Sequence, residues 1–255
     1  MKKEIIAVMK RYELKYILTK EQVERFQTKV LSHMKVDKYG LTTISSIYYD
    51  TPNYTLINRS IEKPLYKEKL RLRSYGLAKE DSPVYLEIKR KNDHIVYKRR
   101  IASTEKKIEE FLQGGEGLGH EQIERELLAF KDTYKVLEPK YLIIYDRVAY
   151  YEEGGDLRIT LDHNPRYRKD NLNLHTSLEG TPLLKEGEAI LEIKVQHSVP
   201  LWLVEILSAE KIYQSSFSKV GTAHKLEMKK MNEEKIIHNK ELINMKGNYQ
   251  YGFTI

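Results

Sequence analysis

The run YKEKLRLRSYG sets Lys67, Lys69, Arg71 and Arg73 in strict alternation. Side chains on a β-strand point to opposite faces with a period of two, so the four cations share one face and Glu68, Leu70 and Leu72 the other. Like charges about 7 Å apart on one face repel each other. The arrangement makes sense when a polyanion lies along them, and electrostatic capture of such a ligand is the chemistry it points to.

The same alternation recurs. VYLEIKRK puts Tyr85, Glu87, Lys89 and Lys91 on one face against Val84, Leu86 and Ile88, and IVYKRR follows as a hairpin partner through Lys91, Asn92 and Asp93. RYELKYIL groups Arg11, Glu13 and Lys15. YLIIYDRVAYYE carries Arg147 with Tyr145 and Ala149, DLRITLD carries Arg158 with Thr160 and Asp162, and AILEIKVQ carries Glu192 with Lys194 and Gln196. Several strands therefore each offer a charged and an apolar face.

The carboxylates among these cations have two readings. Glu13 precedes Lys15 by two residues and Glu192 precedes Lys194 by two, so each strand pairs an acid and an ammonium on one face. They are cross-strand salt bridges that neutralise the interior, or oxygen ligands for Mg²⁺ or Mn²⁺, which accept one or two carboxylates plus substrate phosphates. Other chemistry is poorly represented. There is no cysteine, hence no disulfide, thiolate metal site or cysteine nucleophile. The eight histidines show no HExxH spacing, and His94, His120, His163 and His175 are expected at surface or turn positions. GGEGLG matches neither phosphate-loop nor dinucleotide spacing and reads as a flexible connector. No GxSxG elbow is present.

Two architectures position such strands. An open antiparallel sheet sends its charged faces to water; a closed barrel turns them inward to line a wet, basic tunnel with helices outside. Ordinary solvent faces mix Lys with Glu, whereas Arg71, Arg73, Arg147 and Arg158 sit mid-strand beside apolar neighbours, which favours the tunnel. Thr19 and Gln22 form a capping box ahead of an amphipathic helix from Lys20 to His33. Further helices are expected around Ile108–Leu112 and Ile123–Tyr134, over LWLVEILS, and from Phe217 to Met231.

Composition sets the limits. With 255 residues and 40% hydrophobic content, the chain supports one sizeable core. We expect a single domain over residues 1–230 and a loosely held tail over 231–255. The formal charge of +7 points to an anionic partner, although 37 acidic residues make location matter more than total. The apolar stretch IIAVM is too short for a signal core or membrane span, so a cytoplasmic protein without membrane insertion is expected. Tyr48, Tyr49, Tyr66, Tyr75, Tyr85 and Tyr97 interleave with basic residues, but tyrosine is a preferred strand residue and no nucleic-acid partner is expected.

RYELKYIL, SSIYYDTPNYTLI, KLRLRSYG, VYLEIKRK, YDRVAYYE, LRITLD, ILEIKVQ and FSKV, in that order, resemble the VTC (vacuolar transporter chaperone) domain of the triphosphate tunnel metalloenzymes, also called CYTH-like. The likeness runs from about Arg11 to Val220. It implies an α+β fold with a closed antiparallel β-barrel tunnel, a basic lumen, flanking helices and an ATP-using polyphosphate polymerase dependent on Mn²⁺ or Mg²⁺. ATP and inorganic polyphosphate are the implied partners. A triphosphate or polyphosphate hydrolase and a non-catalytic sensor remain as alternatives.

The resemblance further implies phosphate contacts by Lys15, Arg71, Arg73, Lys89, Lys98, Arg147 and Arg158, with Lys194 beside the cofactor. Glu192 resembles the family's metal-binding glutamate, and Glu13 joins it as a candidate ligand. Ser218 and Lys219 resemble the Ser-Lys pair that closes on substrate. Ser216 stands where eukaryotic members carry a further lysine, so one phosphate contact is expected to be missing. Those members also carry an inositol-phosphate-sensing domain and membrane spans. The present chain resembles a stand-alone bacterial or archaeal version, for which a separate membrane protein is the implied partner.

Overall fold

The computed structural model describes the backbone of residues 8–249 except 11, 63 and 94, and the side chains of 12–238 except 63 and 94. Arg11, His94 and residues 250–255 lie outside the described residues. The strands are β1 (Val8–Lys10), β2 (Tyr12–Leu18), β3 (Lys35–Val36), β4 (Thr42–Asp50), β5 (Tyr66–Tyr75), β6 (Val84–Asn92), β7 (Ile95–Ser103), β8 (Glu138–Tyr151), β9 (Arg158–Arg168), β10 (Thr181–Pro182), β11 (Ala189–Val195) and β12 (Gln214–Ser215). The helices are α1 (Lys20–Val30), α2 (Thr55–Glu62), α3 (Glu105–Leu112), α4 (Glu121–Tyr134), α5 (Leu201–Ala209) and α6 (Lys219–Tyr249).

All twelve strands join one antiparallel sheet in the order β1-β7-β6-β5-β4-β8-β9-β11-β2-β12, with β3 added on β8 and β10 on β9. The expected hairpin is present: Asn92 pairs with Ile95, and Asp93 takes a φ of 52° in the turn. The expected closure is corrected, because no ladder joins β2 to β7 among the described residues. The register gives the reason: β1, just before β2, pairs with β7 from Val8–Tyr97 to Lys10–Ile95, so β2 runs on past the first residue of β7, and its second edge takes β12 through Gln214 on Tyr16 and Ser215 on Lys15. The sheet nevertheless curls far enough for Lys89 of β6 to reach Glu13 of β2, at 3.4 Å. Its concave face is therefore bridged by ion pairs.

The convex face carries the apolar half of each alternation. Leu70, Leu72, Leu86 and Ile88 are buried under Phe111, Leu127 and Phe130 of α3 and α4. Leu18, Leu161 and Leu191 pack against Phe26 and Val30 of α1 and Leu203 of α5. Full burial of each such side chain contributes about 1.5–3 kcal/mol. Glu68, the one acid on the apolar face of β5, accepts from Arg90 Nε at 2.6 Å and from the Tyr134 hydroxyl at 2.7 Å. It ties α4 to the sheet. Both hydrogen bonds of the capping box at Thr19 and Gln22 are made.

On the concave side, α2 and α6 cover one end. Ile57, Val220 and Ala223 pack on Tyr141, Ile143 and Tyr167. The helix expected over Phe217–Met231 runs over Lys219–Tyr249, because the residues beyond Met231 are mostly good helix formers and Lys229 lies 3.8 Å from Glu233 one turn on. GGEGLG joins α3 to α4, with Gly114 and Gly119 at φ of 98° and 84°. His163 departs from expectation: it lies within β9, half-buried, and burial lowers its pKa. Among the described residues, no helix is long and apolar enough to cross a membrane.

Candidate anion-binding site

Register brings the alternating residues together. Arg71 lies opposite Tyr48 on one side and Glu87 on the other, Arg73 opposite Ser46 and Tyr85, and Lys69 opposite Lys89, which in turn faces Lys98. Across the sheet, Glu192 lies opposite Lys15 and Thr160, Lys194 opposite Glu13 and Arg158, and Arg147 opposite Asp162. Directly opposed residues share a face. Ten cations, Lys15, Lys69, Arg71, Arg73, Lys89, Lys98, Arg100, Arg147, Lys194 and Lys219, thus meet four carboxylates, Glu13, Glu87, Asp162 and Glu192.

The carboxylates organise two centres. Glu87, fully buried, lies 2.7 Å from Arg71, 3.9 Å from Arg73, 2.6 Å from Lys98 and 3.1 Å from Arg100. Glu192 lies 3.1 Å from Lys15, 3.3 Å from Lys194, 3.7 Å from Arg147 and 3.8 Å from Lys219. Asp162 binds Arg147 through both oxygens and also pairs with Lys219. Two links join the centres. Lys89 spans to Glu13, and the Tyr145 hydroxyl accepts from Arg73 Nη2 at 3.2 Å while its ring lies 4.4 Å from Lys219 Nζ.

The electrostatics favour negative charge throughout. Burial opposes ionisation of Glu13, but Lys89 and Lys15 outweigh it and hold the carboxyl at about 2. Glu87 and Glu192 are likewise pushed up by burial and pulled down further by their cations, to well below the ordinary range. Lys69 falls to about 8 through burial, with Lys15, Lys89 and Lys67 adding to the shift. Lys98 falls to about 8 as well, where burial, Arg71 and Arg73 together outweigh Glu87. Burial raises the Tyr48 phenol, yet Arg71, Lys69 and Arg73 bring it down to about 7. A site that ionises a buried phenol near neutrality stabilises anions.

The donor set suits a hard divalent cation. Glu13 and Glu192 are ionised and offer only oxygen. No group of three or more His, Cys, Asp or Glu residues is placed to hold a metal among the described residues. One or two carboxylates suffice when phosphate oxygens complete the shell, so the residues fit a cation that arrives with a phosphate ligand.

Most of the expected site residues meet here: Lys15, Arg71, Arg73, Lys89, Lys98, Arg147, Lys194, Glu13 and Glu192. Ser218, just before α6, accepts from Lys69 Nζ at 3.4 Å, and Lys219 reaches Asp162. Arg158 does not join them. It is half-exposed at the start of β9 and donates to Asp37 Oδ2 at 3.0 Å. The sequence reading placed Lys69 in the cationic stripe but gave no role to Asp162, Arg100, Tyr48 or Tyr145 and only a weak one to Glu87. A signal existed for two of them: Asp162 alternates with Arg158 and Thr160, and Arg100 alternates with Lys98.

A family model described as the VTC domain matches residues 10–245. No curated protein matches the chain. Among solved structures, a candidate adenylate cyclase from Bacillus halodurans aligns at a TM-score of 0.52 and 14% identity, over 82% of this chain and 96% of that one. A candidate adenylate cyclase from Vibrio parahaemolyticus aligns at 0.45 and 14% identity, over 85% and 99%. A candidate adenylyl cyclase from Hippeastrum, described as having a dominant triphosphatase activity, aligns at 0.44 and 13% identity, over 82% and 92%.

Proposed function

The chain belongs to the VTC-domain family, and from that premise we propose that it is a polyphosphate polymerase. It transfers the γ-phosphoryl group of ATP to a growing inorganic polyphosphate chain held on the concave face. The observation that supports this reading is the excess of ten cations, nine on the curled sheet and Lys219 at the start of α6, over four carboxylates, every acid among them paired with at least two cations.

Phosphoryl transfer asks the protein mainly to position an in-line attack and to stabilise charge on the transferring group and the leaving oxygen. Arg71, Arg73, Lys69 and Lys89 grip the phosphates of donor and acceptor. Lys15, Lys98, Arg147 and Lys219 surround the transferring group. A terminal phosphate oxygen of the acceptor forms the new P–O bond as the bond from the γ-phosphorus to its bridging oxygen breaks, and ADP leaves with that oxygen's electron pair. The acceptor oxygen is already ionised near neutral pH, so no base is required. Mn²⁺ or Mg²⁺, held by Glu192 and Glu13 together with phosphate oxygens, supplies further charge neutralisation when bound.

A second reading, hydrolysis, rests on Tyr48. Its phenol, brought down to about 7 and 3.2 Å from Arg71, has the basicity that activation of water requires. Glu13, at about 2, is too weak a base. Phosphate seated on Arg71 raises Tyr48 again and leaves it a hydrogen-bond donor, which favours transfer. The test is to incubate the chain with ATP and Mn²⁺ or Mg²⁺ and quantify polyphosphate, ADP and orthophosphate together. Polymer in proportion to ADP, lost in Glu192→Gln and kept in Tyr48→Phe, supports the polymerase. Orthophosphate alone, lost in Tyr48→Phe, makes it a hydrolase.

A further inference from the structure

The phosphate-binding stripe ends in aromatic rings. On β5 the alternation Lys67, Lys69, Arg71, Arg73 continues to Tyr75, and on β6 Lys91, Lys89, Glu87 continues to Tyr85. Tyr85 lies directly opposite Arg73, and Tyr75 is one strand repeat, about 7 Å, beyond it. The rings meet edge to face with centroids 5.7 Å apart. Arg100 completes the group: its guanidinium carbon lies 3.6 Å from the Tyr85 centroid and 5.5 Å from that of Tyr75, and its Nη2 donates to the Tyr75 hydroxyl at 2.9 Å. Arg100 is fixed on its other side by Glu87, the same carboxylate that holds Arg71 and Arg73. Tyr75 is 47% exposed.

We propose that Tyr75, Tyr85 and Arg100 form a stacking site for the base of a nucleoside triphosphate whose phosphates lie along Arg73, Arg71 and Lys69. The site rests on the reading of the concave face as a triphosphate site. Every base has a π-face that tyrosine rings and a guanidinium plane accept without sequence preference. The stripe binds any polyphosphate, whereas the aromatic end distinguishes a nucleotide donor from inorganic polymer. The three residues thereby set the polarity of binding, with the base outward and the γ-phosphate inward toward Lys69 and Ser218.

The test compares ATP with inorganic tripolyphosphate by isothermal titration at fixed salt and Mg²⁺. Replacing Tyr75 and Tyr85 together with Leu is expected to weaken ATP binding roughly tenfold or more while tripolyphosphate binding stays within about twofold, which also reports a folded sheet. Tyr75→Phe with Tyr85→Phe keeps the rings and is expected to bind ATP as the parent does. Equal losses for both ligands, or unchanged ATP affinity in the Leu variant, overturn the stacking site and leave the triphosphate reading standing. A parent chain that binds neither ligand overturns both.

Discussion

Glu87→Gln separates a positioning role from a merely structural one. The side chain has no solvent exposure and faces Arg71, Arg73, Lys98 and Arg100, whose side chains are 19%, 7%, 40% and 33% exposed. Removing one partner of a buried ion pair leaves uncompensated charge and costs about 3–5 kcal/mol. Hydration of Lys98 and Arg100 places this case at the lower end, about 3 kcal/mol. In a domain of this size 1 kcal/mol moves Tm by about 2–4 °C, so the ligand-free variant is expected to melt about 6–12 °C below the parent. The assay is a thermal melt with and without saturating tripolyphosphate. Because the polyanion supplies the missing negative charge, its stabilising shift is expected to be larger in the variant than in the parent. The Glu87 carboxyl is held below its ordinary value of 4.5, so its contribution is fully present above that value and fades as pH falls toward the folded one. The gap between variant and parent should therefore narrow in acid. A variant that melts within about 2 °C of the parent, or gains no more from tripolyphosphate, would refute the reasoning.

Three further outcomes follow from the same geometry. Replacing Arg71 and Arg73 together with Ala removes two charge-assisted contacts and should weaken tripolyphosphate binding by about 3 kcal/mol or more; titration calorimetry that finds less than a tenfold loss contradicts their role. Lys69 and Lys98 are each held at about 8, chiefly by burial, so affinity for tripolyphosphate should fall as pH rises through that value. Lys69→Arg, which stays charged, should flatten the fall, and identical pH profiles for the two proteins count against it. Asp50 accepts the backbone N–H groups of Leu56 and Ile57, each at 2.8 Å, at the start of α2. Asp50→Ala should cost about 1–2 kcal/mol of stability in denaturant unfolding, and Asp50→Asn less; equal losses argue against capping.

Face was legible in the sequence and neighbourhood was not. Period-two alternation places Lys69, Arg71, Arg73, Lys89 and Glu192 on one face from local order alone, because a strand has only two faces. Which cation meets which acid depends on register between strands far apart in the chain. Glu87 reads as one weak member of its strand, yet pairing places Arg71 on one side of it and Arg100 on the other. The open ladder was hidden for a related reason. Nothing local says that Lys10 pairs with Ile95, so that β2 overruns β7, or that Gln214–Ser215 takes the other edge of β2. Arg158 shows the converse error: its alternation with Thr160 and Asp162 is correct, but its place at the strand end puts it beside Asp37.

The depressed pKa values of the two lysines combine burial with neighbouring cations. Desolvation is the first cause, and a concave face with more cations than acids adds to it, so Lys69 and Lys98, which are able to shed a proton, do so more readily. Tyr48 responds in the same sense by gaining negative charge near neutrality. The arginines cannot shed protons and so keep the potential positive. Lys15, sandwiched between Glu192 and Glu13, is instead pushed upward because those pairs outweigh its burial. The ligand-free protein therefore tempers its own repulsion through groups that titrate near neutrality, while Arg71, Arg147 and Glu192, assigned to phosphate grip and metal coordination, stay charged.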